Sequence, residues 1–89
     1  MKDERGLYYY PSPGNQRVRM YVKEAQGVVW FRMWNAADPA LWEQHDWVPY
    51  AAILRAAEMY DGENFDPRRA YDIEAARALL QEAAESASP

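Results

Sequence analysis

The segment Arg17–Asn35, R-V-R-M-Y-V-K-E-A-Q-G-V-V-W-F-R-M-W-N, constrains this chain more than any other stretch. Valine, tyrosine, tryptophan and phenylalanine dominate its two arms, and such side chains suit a pleated, half-buried surface. Gln26-Gly27 between the arms marks a tight turn, so the segment reads as a β-hairpin. Placing Ala25 opposite Val28 tests the register. Val18, Met20 and Val22 then share a face with Val29, Phe31 and Met33. The other face pairs Lys23 with Trp30, Tyr21 with Arg32, and Arg19 with Trp34. One face is wholly apolar, while the second interleaves cations with rings. A slip of one residue would set Met20 against Arg32 and mix the two, because strand side chains alternate with period two.

What flanks the hairpin sets the fold class. Leu7-Tyr8-Tyr9-Tyr10 is a short aromatic strand, halted by Pro11-Ser12-Pro13-Gly14-Asn15, where two prolines lack donors and glycine and asparagine favour turns. So short a link returns the chain antiparallel, giving a three-stranded meander centred on the 17–24 arm. Three strands need a packed face for stability, and the remainder of the chain supplies helices. Asp38-Pro39 opens a helix of one to two turns ending near His45, with Asp38 as N-cap and Pro39 at the first helical position. A second helix starts at Pro49, with apolar residues at 50, 53, 54, 57 and 60 and Gly62 placed to end it. The last helix starts at Asp66 or Asp72. Asp72 is favoured, with Ile73, Ala76, Leu80 and Ala83 forming its inward stripe and Glu74 suiting the dipole at its first turn. The expected architecture is α+β: a three-stranded antiparallel β-meander followed by a short helix and two α-helices packed on one sheet face. Residues 1–6 and 86–89 are read as frayed ends of a single small domain.

Composition narrows the classes of function. At 89 residues the chain is near the lower limit for a single unstapled core. It has no cysteine, so disulfides and thiolate metal sites are excluded, in keeping with a reducing, cytoplasmic setting. The opening M-K-D-E-R-G is charged and is not followed by the apolar stretch of a signal peptide. No apolar run approaches the roughly 20 residues of a membrane span, so no membrane partner is expected. Thirteen aromatic residues supply much buried area for such a short chain. The net charge of −4 conceals a division: residues 1–35 sum to +3 and residues 36–89 to −7. A basic sheet followed by acidic helices is explained by internal complementarity or by an anionic partner on the sheet.

Candidate chemistry is sparse. His45 lies in Glu43-Gln44-His45-Asp46, but neighbours one or two apart on a helix do not face one point, and no second histidine exists to complete a usual site. It reads as a helix C-terminal histidine. Asp61–Asp72 imitates a calcium loop at its first and third positions, yet Asp66 stands where glycine is required and Pro67 breaks the geometry. The three serines lie in a proline turn and the tail, and neither a phosphate loop nor a nucleophile elbow occurs. A non-enzymatic role without cofactor or metal is therefore expected.

What remains is the second hairpin face, with Arg17, Arg19, Tyr21, Lys23, Trp30, Arg32 and Trp34. Tryptophan, tyrosine and arginine are the residues that anchor interfaces. First in rank is a non-catalytic interaction module that contacts another protein or self-associates as a homodimer. The same face offers single-stranded nucleic-acid binding as an alternative, by ring stacking and phosphate contacts. A plain structural account is cross-strand cation–π pairing. A second alternative places a small-ligand pocket or enzyme site near Trp42, Trp47 and Tyr50.

Overall fold

Every cross-strand pair of the expected hairpin is present in the computed structural model, which describes residues 1–12, 14–59 and 71–87. The two arms are β3 (Val18–Ala25) and β4 (Val28–Asn35), running from Val18 opposite Asn35 to Ala25 opposite Val28. Gln26 and Gly27 both have positive φ, 55° and 75°, as a two-residue turn matched to strand twist requires.

The sheet is larger than the expected meander. Two-residue strands are added at each edge: β1 (Lys2–Asp3) beside β2 (Gly6–Tyr9), and β5 (Val48–Pro49) beside β4. The order is β1-β2-β3-β4-β5, antiparallel throughout. Leu7 opposite Val22 and Tyr9 opposite Met20 put Leu7 and Tyr9 on the apolar face, and Tyr8 opposite Tyr21 on the other. Residues 1–6, expected to fray, are instead ordered by pairing of Lys2 with Leu7 and Asp3 with Gly6, and by the Tyr8 N–H donating to the Met1 carbonyl at 2.9 Å.

Among the described residues, three helices complete the α+β fold: α1 (Leu41–Gln44), α2 (Tyr50–Met59) and α3 (Ile73–Ala87). The core lies between the apolar sheet face and the two longer helices, with Met20, Val22, Phe31, Ile53 and Ala76 buried at its centre. Tyr50 and Tyr71 bring their rings to Phe31, at centroid distances of 6.1 and 5.7 Å. Asp72 caps α3: its Oδ1 accepts from the N–H groups of Glu74 (3.0 Å) and Ala75 (3.2 Å). The Asp72 N–H donates to the Tyr9 hydroxyl at 2.8 Å, which ties the start of the helix to β2. The alternative start at Asp66 lies outside the described residues, as do Tyr60 and Gly62.

Three details depart from expectation. α1 is shorter, beginning after Ala40 with no side-chain cap. Asn35 Oδ1 accepts from the Ala37 N–H at 2.9 Å, and this turn leaves the carbonyl of Asp38, rather than its carboxylate, facing the Leu41 N–H at 3.1 Å. Leu54 is 37 % exposed, so the inner side of α2 centres on Ile53 alone among its fully buried residues. On α3, Leu79 packs against the core where the stripe had passed from Ala76 to Leu80. Among the described residues, no helix is long and apolar enough to cross a membrane.

Candidate functional site: the aromatic and basic sheet face

Alternation along β2, β3 and β4 directs Tyr8, Arg19, Tyr21, Lys23, Trp30, Arg32 and Trp34 to the face opposite the core. The structure then covers the middle of that face with residues from outside the hairpin. Tyr21 is fully buried. Its hydroxyl donates to Asp3 Oδ2 at 2.5 Å, and its ring lies 5.3 Å from Tyr8 and 5.2 Å from Trp42. Arg19 Nη1 donates to the same carboxylate oxygen at 3.0 Å and to the Tyr21 hydroxyl at 3.4 Å. Its guanidinium lies over the Tyr8 ring at 4.9 Å and the Trp34 ring at 5.0 Å. Asp3 Oδ1 accepts from the Arg5 N–H at 2.8 Å, and Arg5 extends over Trp34 and Trp42 at 5.7 and 5.8 Å.

Charge and hydrogen bonding set the state of this centre. Burial pushes the Asp3 carboxyl upward, but hydrogen bonds from the Tyr21 hydroxyl and the Arg5 N–H, the Arg19 charge and the Gly6 N–H outweigh it. The group is left below its ordinary value, and hence ionised at neutral pH. Burial, together with the hydrogen bond to ionised Asp3, raises the Tyr21 phenol, which stays neutral and donates.

Arg32 has a different task. Its Nε donates to the carbonyls of Trp42 (3.1 Å) and His45 (3.0 Å), and its Nη2 also donates to the Trp42 carbonyl. It is thus a cation at the C-terminal end of α1, where unpaired carbonyls and the dipole both favour positive charge. The Trp42 ring stacks 4.0 Å from the same guanidinium. Asp46 stands 3.9 Å away, but its side chain is largely solvated, so that pair adds little. Lys23 Nζ lies 4.5 Å from the Trp47 ring, and Trp47 meets Trp42 edge-on at 6.1 Å.

A continuous path of rings and cations therefore runs from Lys23 through Trp47, Trp42, Arg5 and Trp34 to Arg19 and Tyr8. Each exposed cation–π contact of this kind is worth about 0.5–1 kcal/mol. Of the cross-strand cation–π pairs foreseen for the hairpin, Arg19 with Trp34 forms, whereas Lys23 and Arg32 stack instead on Trp47 and Trp42 from outside it. Trp30 is half-buried, and its indole N–H is enclosed without a partner among the described residues. Arg17 precedes β3 and is exposed, with its N–H bonded to Asn15 Oδ1 at 3.1 Å. Of the seven residues assigned to this face from sequence, Arg17 and Lys23 remain exposed, Tyr21 is sealed, and the other four are half-buried.

No family model matches the chain, and neither curated proteins nor solved structures yield a match.

The suggested pocket of Trp42, Trp47 and Tyr50 is not assembled. The two tryptophans lie on the basic face, whereas Tyr50 packs on Phe31 on the core side. An open depression of about 200 Å³ lies at the β4 edge, lined by Leu41, His45, Asp46, Val48 and Tyr71 among others. That is below the usual range for ligand pockets, roughly 300–1,000 Å³. His45 is exposed at the end of α1 and contributes its carbonyl to Arg32. Among the described residues, no group of three or more histidine, aspartate or glutamate side chains is placed to hold a metal ion. The calcium-like segment lies outside the described residues except for Tyr71, which packs on Phe31, and Asp72, which caps α3.

Sequence reasoning missed Asp3, Arg5, Tyr8, Trp42 and Trp47 as members of the face. Tyr8 had a usable signal, since pairing the first strand with β3 sets it opposite Tyr21. Asp3 and Arg5 had none, because a two-residue strand carries no periodicity.

Proposed function

We propose that this protein is a non-catalytic interaction module, using its aromatic and basic sheet face to contact another protein chain, in the simplest case a second copy in a homodimer. One observation carries the reading. Tyr8, Tyr10, Trp30, Trp34, Trp42 and Trp47 are all left partly exposed, and the side chains of Tyr8, Trp30, Trp34, Trp42 and Trp47 share one face. Contiguous apolar surface of this kind marks contact sites, and tryptophan and tyrosine are typical anchors at their centres. Arg5, Arg17 and Lys23 add an exposed basic rim. The nucleic-acid alternative is weakened by the same geometry, since Arg19 and Arg32 are committed to internal acceptors rather than free for phosphates.

Sedimentation velocity over a wide concentration series tests the reading. Mass is expected to rise with concentration, and Trp34→Ala is expected to weaken association by about tenfold or more, as loss of an anchor residue does. A strict monomer at every concentration would overturn self-association. Tight binding of a single-stranded oligonucleotide that collapses with added salt would instead favour the nucleic-acid alternative.

A further inference from the structure

We infer that the Arg19–Tyr21 centre is a carboxylate-recognition site that Asp3 occupies as an in-chain stand-in, and that its external partner is an acidic protein segment. The inference rests on the proposed contact surface and names the chemistry of what it takes. In the closed state one carboxylate oxygen, Asp3 Oδ2, receives both the Tyr21 hydroxyl and Arg19 Nη1. This charge-assisted arrangement is the one by which proteins hold carboxylates from other chains. The rings of Tyr8 and Trp34 fix the plane of the guanidinium, so the receptor is pre-organised. Arg19 Nε is buried without an acceptor among the described residues, while Asp3 Oδ1 is engaged by the Arg5 N–H. The tethered carboxylate therefore leaves one donor of its receptor unsatisfied.

Apart from the contacts of Asp3 and Arg5, the strap that delivers Asp3 is held by two strand pairs and the Tyr8 N–H to the Met1 carbonyl. β1 has two residues, and Lys2, Glu4 and Arg5 around Asp3 are exposed. Its return into β2 depends on Gly6 at φ 131°, a conformation that L side chains rarely adopt. Segments with so few buried contacts open at a small fraction of the global unfolding cost. Arg17, just before β3, and Lys23, within it, are exposed cations that make no ion pair among the described residues. Charge complementarity thus selects an acidic occupant. While the strap is shut, external affinity is reduced by the small fraction of open molecules.

The full chain is titrated with poly-L-glutamate, and with poly-L-lysine as a control, following tryptophan fluorescence at low salt. Asp3→Asn removes the stand-in. Gly6→Val leaves Asp3, Arg19 and Tyr21 unaltered but disfavours the turn, so it tests the same opening by a second route if the first variant folds poorly. Both are expected to bind poly-L-glutamate about tenfold tighter than the parent chain, the gain expected from removing a closed-state penalty. Adding Arg19→Gln to either variant should abolish that gain, and circular dichroism checks that each is folded. Equal binding by the parent and both variants, or a gain that survives Arg19→Gln, overturns the assignment. Absence of poly-L-glutamate binding alongside self-association that depends on Trp34 overturns the acidic partner while leaving the contact surface standing. Absence of both removes both.

Discussion

A single hydroxyl links the two sides of this molecule's energetics. Tyr9 projects into the core face, and burial above all pushes its phenol up to about 12. The Asp72 N–H that it accepts works the other way, and the Asp72 and Tyr71 charges add to the rise. The unfolded chain releases this proton near pH 10, the ordinary tyrosine value. Because the folded value is higher, the contribution of neutral Tyr9 is intact below about pH 10 and is lost as pH climbs from there towards 12. Stability followed by urea denaturation should therefore fall over that interval, and Tyr9→Phe should flatten the slope. An unchanged slope in Tyr9→Phe would assign the alkaline loss to other groups; burial also raises Tyr21 and Tyr71.

Among the elements, the β3–β4 hairpin carries both faces and is fastened by its turn. Gln26 holds φ 55° and Gly27 φ 75°, and only the second is a residue without a steric cost there. Gln26→Asn should stabilise the hairpin by a few tenths of a kcal/mol to about 1 kcal/mol, since asparagine tolerates the left-handed region. Gly27→Ala should cost about 1 kcal/mol or more. Equilibrium unfolding of the two variants reads both signs, and equal stabilities would mean that the turn does not set the register. Helix α1 shows the opposite dependence. Its four residues have no side-chain cap, and its C-terminal end is held by Arg32 from β4. An isolated helix of that length would not persist in water. Tertiary contact maintains it.

For the whole molecule, the consequence of small size is a core with little reserve. Phe31 is fully buried at the meeting of β4, α2 and α3, against Tyr50 and Tyr71. Truncation of such a residue costs about 3–5 kcal/mol, against the roughly 5–15 kcal/mol that holds a typical domain folded. Phe31→Ala should therefore be largely unfolded at modest urea. Leu54→Ala, at a position 37 % exposed, should shift stability by only about 0.5 kcal/mol or less. Comparable losses in the two variants would place the core elsewhere.

Much of this was legible in the residues themselves. The register of β3 on β4 follows from a period of two and a two-residue turn, both local. Asp72 as the cap of α3 follows from the preference of a carboxylate for free N–H groups. The apolar face and the basic aromatic face were therefore separable from sequence alone. What only the tertiary structure decided is which of those side chains stay available. Tyr21 alternates like an exposed residue, yet Asp3 and Trp42 seal it from positions far along the chain. Arg32 resembles a free surface cation, yet it closes α1. Alternation reports the face a side chain points to. What covers that face is set by long-range packing of elements too short to leave a period of their own.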